Sequence, residues 1–199
     1  MRFLLLLALS ATAVHAQSPD RTGFALGARA FAAGLSNESD GETDTGVRLT
    51  GTDAGVGLDV RASYGFNRTV SVFFNLGGAQ MRPEDPEDVQ FVLGVADLGV
   101  QFNVLPSSSL NPYLRVALTG QVASFNVAGT NATEDARGGG LTSGVGLLYS
   151  VTPQLALDLS LDATGGQFSE LVFDGESTDD FEAIDTGIGR LGFGLVYNL

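Results

Sequence analysis

From Gln154 to Ala163 the chain reads Q-L-A-L-D-L-S-L-D-A, with leucine at 155, 157, 159 and 161 and with Asp158 and Asp162 between them. Period two of this kind marks a β-strand whose two faces meet different surroundings. The alternation recurs along the chain and predicts eight strands: Gly23–Leu35, Ala54–Phe66, Val70–Met81, Val89–Val104, Tyr113–Val127, Gly140–Ser150, Gln154–Phe168 and Ile184–Leu199. In the second of these, Ala54, Val56, Leu58, Val60, Ala62, Tyr64 and Phe66 oppose Gly55, Gly57, Asp59, Arg61, Ser63 and Gly65. Large apolar residues on one face and small or charged ones on the other suit an eight-stranded barrel with lipid outside and a tight interior.

The connections alternate in length. Those after odd-numbered strands, Ser36–Asp53, Arg82–Asp88, Ala128–Gly139 and Ser169–Ala183, are the longer set as a whole, with Arg82–Asp88 barely longer than a turn, and those after even-numbered strands, Asn67–Thr69, Leu105–Pro112 and Thr152–Pro153, are the shorter set as a whole. The longer set holds 17 of the 23 acidic residues and the shorter set none. Long, charged connections at one end and tight turns at the other are the asymmetry of an outer-membrane barrel, with both termini on the periplasmic side.

The parity of the strands predicts a charged interior. Arg29, Arg61, Arg115 and Arg190 face Asp59, Asp97, Asp158 and Asp162, four against four. Balance matters there, because an unpaired buried charge costs several kcal/mol. Arg190 is expected to bridge Asp158 or Asp162 on the neighbouring strand. Two strands fit less cleanly. Phe31 shares the face of Arg29, and Phe91, Leu93 and Val95 share that of Asp97 unless a bulge changes the parity. Tyr64, Phe66, Phe102, Tyr113, Tyr149 and Tyr197 lie beside the short turns and predict an aromatic girdle, with Phe125, Phe168 and Phe181 near the long loops as a thinner one.

Composition narrows the compartment and the chemistry. Residues 1–16, MRFLLLLALSATAVHA, read as a secretory signal, leaving 17–199 as one barrel domain. No later stretch is long and apolar enough for a membrane helix, so a spanning chain must be a closed barrel. The mature chain has no Cys, no Lys and no His, and nine Arg against 23 acids. Such acidity argues against nucleic acid as a partner, and none is expected. The missing His and Cys remove zinc and copper sites and the base of a His-dependent hydrolase. No enzyme activity and no cofactor are expected. Asp174, Glu176, Asp179 and Asp180, or Glu84, Asp85, Glu87 and Asp88, could supply oxygens for weak calcium binding, without EF-hand spacing.

With these features the chain resembles the eight-stranded outer-membrane barrels of the OmpA/OmpX type. The closing stretch, with Phe193, Tyr197 and Leu199, is similar to the C-terminal signal read by the barrel-assembly machinery, which usually ends in Phe where this chain has Leu. The resemblance implies an all-β, antiparallel up-and-down transmembrane barrel in the bacterial outer membrane. Its partners would be membrane lipid and the assembly machinery. A monomer is expected, with no periplasmic peptidoglycan-binding domain after strand eight. The expected function is a non-enzymatic barrel with acidic surface loops, in a structural or surface-interaction role. The alternatives are a small passive pore and, with the faces reversed, a soluble lipocalin-like binder of an apolar ligand.

Overall fold

The structure, a computed structural model, describes residues 21–38, 51–82, 91–126, 133–173, 176–178 and 183–199. The strands are β1 (Gly23–Glu38), β2 (Gly51–Gly65), β3 (Val70–Arg82), β4 (Phe91–Asn103), β5 (Leu110–Asn126), β6 (Thr133–Ser150), β7 (Leu155–Phe173), β8 (Glu176–Thr178) and β9 (Ile184–Asn198). Each long strand pairs antiparallel with its neighbours, β9 returns to β1, and a β6–β7 ladder completes the ring. The result is a closed barrel of eight long strands, with β8 a short hairpin partner on the end of β7. Closure leaves the barrel itself without the open edge that hydrocarbon does not tolerate.

The turns at one end are tight and self-capped. Asn67 Oδ1 accepts from the backbone amides of Thr69 and Val70, each at 2.8 Å, and Thr152 Oγ1 accepts from Leu155 N at 2.9 Å. At the other end the strands overrun their expected limits. β6 begins at Thr133 rather than Gly140, and β7 runs to Phe173, giving strands of 18 and 19 residues. About 9–11 residues cross a bilayer, so this pair stands above it. A bulge at Arg137/Gly138, opposite Glu170 and Phe168, twists the extension. Asp53, Glu134, Asp135 and Glu170, assigned to connections by sequence, lie on strands. The signal segment, Phe181 and the calcium candidates other than Glu176 fall outside the described residues, and Glu176 is described by its backbone alone.

The leucine face of β7 points out of the barrel: Leu161 is 55% exposed while Ser160 and Asp162 are buried. Val56, Leu58, Val60, Leu118, Leu141 and Leu191 do the same on other strands. A soluble barrel with these residues turned inward is therefore excluded. Tyr64, Phe66, Phe102, Tyr149 and Tyr197 form the exposed aromatic belt at the turn end, and Phe24 joins it 4.9 Å from Tyr64, edge to face. Tyr113 does not belong to it. It shares the parity of Arg115 and is buried in the lumen.

The lumen has two halves. At the loop end it is an apolar core of Phe31, Leu35, Met81, Phe91, Leu93, Val95, Phe125, Phe168 and Ile188. The register of β4 runs unbroken against both neighbours, so no bulge reverses its parity, and Phe91, Leu93 and Val95 lie inside with Asp97. Phe125 and Phe168, expected near the loop-end girdle, also turn inward, Phe125 packing 4.9 Å from Phe91. The interior is thus not lined by small residues throughout. The charged half lies below this core, toward the short turns.

Candidate functional site: a charged cluster across the lumen

Side chains from all eight long strands meet in the charged half. β1 and β2 bring Arg29 and Asp59 to directly paired positions. Arg29 Nε donates to Asp59 Oδ2 at 2.9 Å, while its Nη1 reaches Asp162 Oδ2 at 3.1 Å and the Ser160 hydroxyl on β7. Arg115 on β5 grips the same Asp162 with both prongs of its guanidinium, Nε to Oδ1 at 2.5 Å and Nη2 to Oδ2. Two-pronged pairing of this kind is what Arg offers and Lys does not.

Arg190 and Asp162 are register partners on β9 and β7, yet the expected bridge between them is not made. Arg115 and Arg29 already occupy the Asp162 carboxylate. Arg190 crosses to Asp97 on β4, the opposite wall of the ring, with Nη1 to Oδ2 at 2.9 Å and Nη2 to Oδ1 at 3.2 Å. Asp97 also accepts from Thr119 Oγ1 at 2.8 Å and from Asn75 Nδ2 at 3.3 Å. The hydroxyls of Thr119, Thr142 and Thr164 form a chain with spacings of 2.5 and 2.6 Å.

Arg61 is held differently. Its Nε donates to Asn75 Oδ1 at 2.9 Å and its Nη1 to Gln101 Oε1 at 3.2 Å, with Asp158 at the longer distance of 3.7 Å. Asp158 accepts its short bond from the Tyr113 hydroxyl, at 2.7 Å. The Arg61 guanidinium lies 5.0 Å from the centroid of the Phe73 ring and that of Arg115 5.7 Å from it. All eight charged residues expected inside are buried.

Glycines leave the room these ions occupy. A Cβ on Gly192 would stand 2.5 Å from Arg29 Cδ, and one on Gly144 would meet the Asp162 carboxylate and the Arg115 stem. Sequence reasoning did not single out Tyr113, Ser160, Thr142, Thr164, Gln101 or Asn103 as members of the network. The parity of charged residues on the same strand was the available signal for all of them but Thr142, whose expected strand, Gly140–Ser150, carries no charge.

Arg21 was also missed, because it precedes the first strand. Gly23, at φ 86, starts β1 with a turn that other residues rarely adopt, and swings Arg21 across the barrel mouth. Arg21 Nη2 donates to Ser150 Oγ at 3.1 Å and to the Ser108 carbonyl at 3.3 Å. Burial pushes its guanidinium down to about 10. On the last strand, Phe193 and Tyr197 point outward, and Leu199 just beyond it is exposed as well. Among the described residues, no group of three or more His, Cys, Asp or Glu could hold a metal ion.

The sequence profile of the outer membrane protein beta-barrel domain family matches residues 3–198. Among solved structures, Neisserial surface protein A (NspA) superposes with a TM-score of 0.64 at 19% identity, over 89% of this chain and 98% of that one. The outer membrane protein OprG from Pseudomonas aeruginosa gives 0.59 at 11% identity, over 90% and 97%. Ail, the attachment invasion locus protein of Yersinia pestis, gives 0.50 at 18% identity, over 88% and 99%. At these identities the likeness is one of fold. Comparison with curated protein sequences finds no match.

Proposed function

The chain belongs to the outer membrane protein beta-barrel domain family, and from that premise we propose that it serves as a closed, non-enzymatic support that holds its long connections outside the cell. The outer membrane is its compartment. One observation carries the reading. The Arg190–Asp97 pair joins opposite walls of the ring, and Arg29, Arg115 and Asp162 fill the same level. Ions or solutes would have to displace paired, buried charges to pass, and the apolar core above adds a second barrier.

The interior aspartates argue against acid–base work in the same way. Asp59, Asp97 and Asp162 each accept from an arginine, and Asp158 accepts from Tyr113. Such carboxylates are committed to structure rather than poised for proton transfer. The outward, exposed positions of Phe193, Tyr197 and Leu199 support a role for this end in assembly.

Reconstitution of the folded protein in planar lipid bilayers tests the closed lumen. No steady conductance is expected from the wild type. Replacing both Asp97 and Arg190 by Ala, which removes the cross-lumen bridge, is expected to introduce brief openings. A stable conductance in the wild type would sink the proposal and make the barrel a small pore.

A further inference from the structure

Below the charged cluster, at the turn end of the lumen, lies a cavity of about 40 Å³. Arg21 and Arg61 line it together with Ser63, Ser71, Gln101 and Asn103, and no carboxylate is among its lining residues. Arg21 Nη1 and Arg61 Nη2 are both buried and make no hydrogen bond to the described residues. The two residues are 9% and 7% exposed. Charge points the same way. Among the described residues, Arg21 adds a fifth buried arginine to a lumen whose charged half holds four aspartates, and the remaining buried acid, Glu134, lies at the far end of β6.

We propose that this cavity is a binding site for one small oxyanion, a carboxylate or a tetrahedral phosphate, entering from the periplasmic side. Buried guanidinium donors without acceptors are costly. An oxyanion offers several acceptors at once and matches the planar guanidinium fork. The hydroxyls of Ser63 and Ser71 and the amides of Gln101 and Asn103 complete a polar wall around it. Size is consistent: one water needs roughly 10–15 Å³ of such space, so the cavity has room for a group of a few heavy atoms. The charged cluster closes the cavity on its inner side. The cluster above, where Asp158 stands 3.7 Å from Arg61, repels an anion that moves deeper.

The test is calorimetric titration of the folded full-length protein in detergent micelles with sodium phosphate and, separately, sodium acetate, at matched ionic strength. Saturable one-to-one binding of at least one of them is expected. Arg21→Gln is expected to weaken it at least tenfold. Arg68→Gln removes an exposed arginine at the same end and is expected to leave it unchanged. Ser63→Val fills the cavity without altering charge and is expected to weaken binding, a second reading should Arg21→Gln fail to fold. Binding of acetate alone assigns the site to carboxylates; binding of phosphate alone assigns it to phosphate-bearing molecules. The proposal is overturned if neither anion saturates, if Arg21→Gln or Ser63→Val binds as the wild type does, or if Arg68→Gln loses as much.

Discussion

Asp162→Asn is the most demanding perturbation of the charged cluster. The substitution keeps size and shape but removes the charge that Arg115 and Arg29 share. Arg29 retains Asp59 at 2.9 Å through Nε. Arg115 retains nothing comparable: both of its bonds go to Asp162, and its Nη1 has no partner among the described residues. A guanidinium and a carboxylate about 4 Å apart interact by roughly 4 kcal/mol at an effective dielectric constant of 20. Removing one member of a buried pair typically costs about 3–5 kcal/mol. Both routes lead to the same range, because Arg115 and Asp162 are each almost fully inaccessible to water. The assay is reversible urea unfolding in lipid vesicles, followed by the heat-dependent mobility shift on gels. The unfolding free energy of Asp162→Asn should fall by about 3 kcal/mol, roughly two decades in the folding equilibrium, and the urea midpoint should fall with it. Asp162→Asn combined with Arg115→Met should recover much of the loss, since no charge is then left stranded. A single mutant within about 0.5 kcal/mol of the wild type, the usual range of surface changes, would refute the claim that these ions are paired and dry.

Two further outcomes follow from the same geometry. Leu159→Arg places a cation on the outward face of β7 and should cost about 2–4 kcal/mol near the bilayer midplane; folding yield in vesicles measures it, and equal yields would contradict the outward assignment. Tyr113→Phe leaves Asp158 without its 2.7 Å donor and should cost about 1–3 kcal/mol by the same unfolding assay, whereas Tyr149→Phe, at the exposed belt, should change little.

The parts of this fold legible in the sequence are those set by period two alone. Leu155 to Leu161 on β7 and Val56 to Val60 on β2 assign their faces without any knowledge of neighbours. Parity alone also places Phe91, Leu93 and Val95 inside, without a bulge, because the loop-end half of the lumen takes large apolar side chains rather than small ones. Tyr113 shows the converse. Its position beside a turn suggested the girdle, but its parity with Arg115 decides, and an aromatic inside can serve as a hydroxyl donor. The pairing of Arg190 was not readable. Register makes it a neighbour of Asp162, and only competition from Arg29 and Arg115, together with the reach across the ring, sends it to Asp97. Arg21 escaped notice because strand patterning ends before it, and only the turn at Gly23 brings it inside.

The division of labour between the two faces bears on how one register is chosen. Lipid favours any arrangement that keeps apolar residues outside, and a slip of two residues preserves that parity. Ala28, opposite Val60 in the native pairing, would meet Leu58 or Ala62 after such a slip, and a lipid environment scarcely distinguishes these. Inside, the same slip sets Arg29 opposite Gly57 or against the like charge of Arg61, instead of Asp59. It moves a side chain about 7 Å along the strand, far more than contacts of 2.5 to 3.1 Å allow. Each misregistered ladder would strand charges in a lumen that has little water to offer. The outer face thus supplies insertion into the membrane, while the interior ions penalise every register but one, the role for which buried charge pairs are best suited.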